Sequence, residues 1–169
     1  DVWKERREKA RDRVDLFYTR KFGKEVYPSP DLYTDFRNIL DRKDIDAVLI
    51  ATPIHWHATM TVLAAQAGKD IYCEKPTAVS IQESQVMVKA VLDNKRVFQA
   101  GTQQRSEYEG KFRHACELVR NGRIGQLKEI YACREGGGAT WTKENVPDVP
   151  VPDDLDWDLF LGPAPKLPY

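Results

Sequence analysis

No uninterrupted apolar run in the 169 residues approaches the roughly 20 that a membrane span needs, so no bilayer-crossing helix is expected. Excess charge of one sign is also missing. The 26 Lys and Arg balance 26 Asp and Glu, and a formal net charge of zero provides no sequence-wide basic field for a nucleic-acid partner. Cysteine is scarce: Cys73, Cys116 and Cys133 are odd in number and widely spaced. They form no C-x-x-C pair, which argues against a disulfide framework and against a zinc knuckle. A reducing compartment fits them best, so a cytoplasmic location is expected. Because the first residue is Asp1 rather than Met, an export signal stays open. With 41% hydrophobic and 31% charged residues, and no internal repeat or low-complexity tract, the chain reads as an ordinary globular protein. It has room for one domain, or for one domain and the start of another.

The hydrophobic periodicity alternates in type along the chain. Trp3, Ala10, Val14, Phe17 and Lys21 recur at three- and four-residue steps before Gly23, which predicts an amphipathic helix over 3–22. Val26 to Pro30 is expected to be a short strand or loop, since each proline holds its predecessor out of the α region. A short helical stretch follows at 35–40. Ile45 to Ala51 is a nearly continuous apolar run of the kind found in strands buried on both faces. A helix over 57–67, a strand at 70–73 and a helix from Ser80 to Asp93 come next. Ser80 and Glu83 form a capping box. Another strand is expected at 96–100, and a second capping box at Ser106 and Glu109 opens a helix with Phe112, Ala115 and Val119 as its apolar stripe, ending at Gly122. Strand and helix in alternation predict an α/β fold, a parallel sheet covered on both faces. After Gly125 the rhythm changes. A longer strand is expected over 126–134, then come Gly136, Gly137 and Gly138, and the last 23 residues hold six of the ten prolines.

In open parallel sheets, ligands sit beyond the carboxyl ends of the strands. Three such ends are informative here: Thr52-Pro53 with His55, Trp56 and His57; Glu74-Lys75-Pro76; and Gly101 to Arg105. Lys75 is the sharpest candidate, because Pro76 forces it into an extended conformation and stands its amine at a strand end. There it can exchange a proton with a substrate hydroxyl or carbonyl; the plainer reading is a surface lysine paired with a carboxylate. Glu74 is either an acceptor for a ribose hydroxyl or the ion-pair partner of Lys75. His55 and His57 form an H-x-H, but no second ligand cluster accompanies them, so no metal is expected. His57 is expected to cap or line the pocket at the start of its helix, Trp56 to join the core, and Cys73 to act as a small hydrophobe. The three glycines at 136–138 lack the G-x-G-x-x-G spacing of a dinucleotide loop. A Rossmann unit places an acidic ribose ligand about 20 residues beyond those glycines. If the chain has been shortened at its start, Asp1 is that acid.

At Ala51-Thr52-Pro53 with His57, at Tyr72-Cys73-Glu74-Lys75-Pro76 and at Gly101-Thr102-Gln103-Gln104-Arg105, the chain resembles the Gfo/Idh/MocA family, the glucose-fructose oxidoreductase and inositol dehydrogenase-like enzymes. Ile124-Gly125-x-Leu127 and Trp157-Asp158-x-Phe160-Leu161-Gly162-Pro163 extend the resemblance over nearly the whole sequence. It implies a Rossmann-type, doubly wound parallel sheet over 1–122, with the first strand missing. The start of an α+β C-terminal domain over 123–169 would follow, its open sheet serving substrate binding and homo-oligomer formation. By the same likeness Asp1 meets the adenosine ribose, and Thr52, Pro53 and His57 line an NAD or NADP dinucleotide. Glu74 holds the nicotinamide ribose, Lys75 touches cofactor and acts at the substrate, and Gln103 and Arg105 lie near the nicotinamide or substrate. The Lys75–Pro76 peptide is expected to be cis. The family's glycine loop precedes Asp1, and its Asp and His partners of the lysine follow Tyr169, so the chain is expected to be an internal fragment.

The expected function is an NAD(P)-dependent oxidoreductase acting on a sugar, cyclitol or related polyol, with no nucleic-acid or membrane partner. Asp1 mildly favours NAD, since a carboxylate repels a 2′-phosphate. Two rivals accompany this reading. One is an enzyme that oxidises its sugar transiently to break a glycosidic bond. The other is a non-catalytic protein that binds dinucleotide or carbohydrate.

Overall fold

Three of the apolar runs become short parallel strands joined by helices. In chain order the elements are α1 (Lys4–Phe22), α2 (Arg37–Leu40), β1 (Ala47–Ile50), α3 (Ile54–Gln66), β2 (Asp70–Glu74), α4 (Ile81–Asp93), β3 (Phe98–Gly101), α5 (Lys111–Arg120) and α6 (Trp157–Leu161). The computed structural model describes residues 1–23, 28–105, 107–131 and 147–169. Two compact units emerge, Asp1–Gly101 with Asp148–Tyr169, and Thr102–Pro147.

In the first unit the sheet order is β1-β2-β3, all parallel, with Ile50 opposite Cys73 and Cys73 opposite Ala100. Leu40, Ile50, Ala64, Ala65, Ile71, Cys73, Ala90 and Val91 form the buried cluster between the sheet and its helices. Ala64 and Ala65 present almost no bulk, which lets α3 lie close on the strands and bury their branched side chains at roughly 25 cal/mol per Å² of apolar surface. The α/β, Rossmann-type reading therefore holds, with one difference in how the strands are covered. Burial along β2 alternates, and on β1 Leu49 is 68% exposed while Ile50 is buried. The expectation of continuous two-sided burial fails because right-handed crossovers taken in one direction across a sheet land on the same face, and α3 and α4 pack on each other there.

The helix boundaries follow local chemistry. Gly23 closes α1 at φ +86°, its N–H bonding Thr19 O at 2.9 Å. No residue of α1 is buried, and Leu16, Phe17 and Phe22 are exposed, so its predicted apolar stripe faces no core. Ser80 caps α4 as its spacing requires: its Oγ accepts from Glu83 N at 3.2 Å, while the Glu83 carboxylate takes the N–H of Val79 at 2.7 Å.

The proline-rich tail packs back on the start of the same unit. Trp3 and Leu155 form an antiparallel bridge, and Lys4 N donates to Asp154 O at 2.9 Å. Asp156 caps α6 through Leu159 N at 2.8 Å. Trp56 then clasps the helix end, its Nε1 donating to Leu159 O at 2.9 Å. Gly162, at φ +49°, accommodates that indole: a Cβ there would lie 2.1 Å from Trp56 Cζ2.

The second unit contains 3-10 turns at Gln103–Arg105 and Tyr108–Gly110, followed by α5. The capping box expected at Ser106 and Glu109 does not open this helix. Its N-cap is Gly110 in the left-handed region, preceded by Glu109 at φ +58°, and Ser106 lies outside the described residues. Phe112, Ala115 and Val119 keep helical spacing, yet α5 buries nothing. The strand expected from Gln126 is irregular through Tyr131, because among the described residues no strand pairs with it. The rest of that segment and the glycines at 136–138 lie outside the described residues, as does the start of the stretch expected at 26–30.

Two substitutions test these packing arguments by urea denaturation of the chain. Gly162→Ala should lose about 2 kcal/mol or more, from positive-φ strain and the clash with Trp56. Ser80→Ala should lose about 1 kcal/mol through the missing cap. Unchanged midpoints would refute both accounts.

Candidate functional site at the strand tips

Because the strands are parallel and in register, their carboxyl ends stand side by side, about 5 Å apart per strand. Thr52 and Pro53 follow β1, Glu74 ends β2 with Lys75 next, and Gly101 ends β3 directly opposite Glu74. The fold thus brings together all the predicted site residues of the first two tips.

At the middle tip, the Glu74 carboxylate folds back on the chain, its Oε2 accepting the Lys75 N–H at 3.1 Å. The Lys75–Pro76 peptide is cis, as the resemblance implies. The Lys75 side chain is exposed, and its ammonium makes no ion pair among the described residues. Gly101 makes room for this arrangement. A Cβ on it would sit 3.1 Å from each of Glu74 Cα, Glu74 Oε2 and Tyr72 Oη. Tyr72 therefore joins Glu74 above Gly101, a neighbour the sequence reading passed over, although its place two residues before Glu74 on one strand face could have signalled it.

Beside the first tip lies a cavity of about 380 Å³ whose walls include Asp1, Arg6, Thr34, Phe36, Thr52, Pro53 and Trp56. Three of the residues expected to meet a dinucleotide, Asp1, Thr52 and Pro53, meet here. One oxygen of Asp1 accepts the Trp3 N–H at 3.0 Å, and the Arg6 guanidinium lies 4.6 Å from the centre of the Trp3 ring. Arg6 was not singled out from sequence; its three-residue step from Trp3 in the first turn of α1 was the available signal. A carboxylate whose second oxygen accepts no hydrogen bond among the described residues, next to an apolar recess, fits the adenosine end of a nicotinamide dinucleotide. The strand-tip Glu74 and Lys75 fit the other end.

The His55-Trp56-His57 segment has a different use from metal binding. His55 Nε2 meets Phe160 O at 2.9 Å, and Trp56 holds Leu159 O. His57 is buried, with Nδ1 2.7 Å from Pro76 O and Nε2 2.8 Å from Thr52 O. Each side chain grips main-chain carbonyls. Among the described residues no cluster of three His, Cys, Asp or Glu could hold a metal ion. Cys73 is fully buried, and burial pushes its thiol above the ordinary range, which suits a packing role. Gln103 and Arg105 form the first 3-10 turn of the second unit, Gln103 half-buried and Arg105 exposed.

A parallel sheet with polar strand tips and an apolar recess at one end defines a dinucleotide-binding Rossmann domain by class. Residues 2–102 match the Gfo/Idh/MocA model, described as an oxidoreductase family with an NAD-binding Rossmann fold, and the chain belongs to that family. A levoglucosan dehydrogenase of Pseudarthrobacter phenanthrenivorans is 49% identical over 74 residues, covering 44% of this chain and 18% of that protein. A 2,7-anhydro-N-acetylneuraminate hydratase of Mediterraneibacter gnavus is 33% identical over 106 residues, 63% of this chain and 28% of that protein. Among solved structures, the myo-inositol 2-dehydrogenase of Lactobacillus plantarum superposes with a TM-score of 0.52 at 33% identity, over 56% of this chain and 28% of its own. This chain spans less than a third of the length of each.

The close approach at Gly101 is testable. Gly101→Ala should lower the melting temperature through roughly 1–3 kcal/mol of overpacking. Adding Tyr72→Phe, which removes one of the three contacts, should recover part of the loss, and strict additivity of the two changes would contradict the shared space.

Proposed function

We propose that the protein to which this chain belongs is an NAD(P)-dependent oxidoreductase that moves hydride between a nicotinamide and a hydroxyl-bearing carbon of a sugar, cyclitol or related polyol. The observation that carries it is the Lys75 amine at the tip of β2, without an ion-pair partner among the described residues, next to Glu74 and one strand from Thr52 and Pro53. The family and the names of its dehydrogenase relatives support the substrate class.

When bound, the nicotinamide supplies the hydride chemistry. Lys75 takes the hydroxyl proton as the substrate is oxidised and returns it in the reverse direction. Glu74 holds the nicotinamide ribose, Asp1 the adenosine ribose, and Thr52 and Pro53 line the dinucleotide. Gln103 and Arg105 serve the nicotinamide or substrate side. The Asp1 carboxylate favours NAD over NADP, because it accepts a 2′-hydroxyl and repels a 2′-phosphate. Residues 1–122 act as the dinucleotide-binding part and 123–169 as the beginning of the substrate and homo-oligomer part. A cytoplasmic location completes the proposal. Among the described residues no helix is long and apolar enough to cross a membrane, and Cys73 and Cys116 are free thiols.

The hydratase relative favours a second reading, in which the same hydride transfer is transient and the sugar leaves without net oxidation. Product analysis without added cofactor separates the two. In the intact enzyme, Lys75→Met should lower kcat by about 100-fold or more while dinucleotide affinity stays nearly constant. Unchanged turnover would take Lys75 out of the mechanism.

A further inference from the structure

His57 stands in the first turns of α3, 2% exposed, with both ring nitrogens within 2.8 Å of backbone carbonyl oxygens. Those two carbonyls belong to different strand tips. One is Thr52, which leaves β1 on the dinucleotide side; the other is Pro76, which follows Lys75 at the end of β2. With its ring buried and both nitrogens at main-chain oxygens, His57 offers no free polar atom to a ligand, which departs from the expectation that it lines the dinucleotide. We propose that His57 is a positioning residue, an imidazole staple that fixes the Lys75 corner relative to the Thr52-Pro53 corner. The proposal rests on the functional reading above and adds to it a residue that acts without meeting cofactor or substrate.

The chemistry favours this residue type. Imidazole carries two nitrogens on opposite sides of a rigid ring, and with both protonated each N–H donates to one carbonyl, which can only accept, so one side chain spans two separate loops. The geometric demand is strict, since a displacement of about 1 Å between a catalytic group and its reaction partner costs on the order of 100-fold in rate. Hydrogen bonds from side chain to main chain set such a spacing better than apolar contacts, which are non-directional.

The test uses the intact enzyme with His57→Phe, which fills the space and bonds neither carbonyl, and His57→Gln, which can donate to one. Met87→Ala, a buried truncation on α4, serves as the stability control. His57→Phe should lower kcat by about 10- to 100-fold with KM and dinucleotide affinity changed by less than about 3-fold, and His57→Gln should recover part of it. A kcat no lower than that of Met87→Ala would overturn the staple. Dinucleotide affinity falling in step with kcat would also overturn it, because the ring would then be a direct contact. Amide hydrogen exchange gives a readout independent of turnover. In His57→Phe the segments 52–57 and 74–79 should exchange faster together, whereas Met87→Ala should speed α4. If neither tip responds, the staple fails even where the oxidoreductase reading stands. If the wild-type enzyme oxidises no polyol while both tips loosen, the oxidoreductase reading fails and the staple survives.

Discussion

The pairing of β2 between β1 and β3 is the constraint on which the site depends. Parallel strands in register end at a common edge, so residues more than 20 positions apart in sequence become neighbours. Thr52, Glu74, Lys75 and Gly101 owe their proximity to that ladder. The apolar residues that hold it, Ile50, Ile71 and Cys73 beneath Ala64 and Ala65, are therefore as much a part of the site as the groups that meet solvent. A strand slipped by one residue would move Lys75 and also turn Glu74 to the opposite face.

Space at the tips is set by what is absent as much as by what is present. Gly101 contributes no side chain, and the Glu74 carboxylate and Tyr72 hydroxyl occupy the volume it leaves. The local charges balance: Asp1 and Arg6 at the cavity, Glu74 and Lys75 at the middle tip.

Much of this was legible in the sequence, and the reasons are local. Val48-Leu49-Ile50 and Ile71-Tyr72-Cys73 lie in apolar runs of strand length bounded by polar or turn residues, Ser80 with Glu83 fixes a helix start, and Gly23 fixes a helix end. Lys75 stood out because a proline beside it restricts the backbone. What escaped were relations between distant positions. No periodicity reports that His57 meets a carbonyl 19 residues away, or that Trp56 meets one 103 residues away. The H-x-H spacing gave no reason to expect a metal, but it also did not show that each side chain turns to a different main-chain oxygen. The apolar stripes of α1 and α5 show the converse error. Helical spacing was right, but spacing alone does not say whether a face finds a partner. The box expected at Ser106 and Glu109 failed because Glu109 and Gly110 adopt left-handed backbone that no capping box uses.

The clasp between the start of α3 and the tail is made to peptide oxygens, with His55 and Trp56 gripping the main chain at Phe160 and Leu159. Such a grip asks for a path of the chain more than for particular side groups. Descendants of this sequence are accordingly free to exchange the residues at 159 and 160 for others of similar bulk. Gly162 is held fixed, since the indole claims the place where any larger substituent would have to grow.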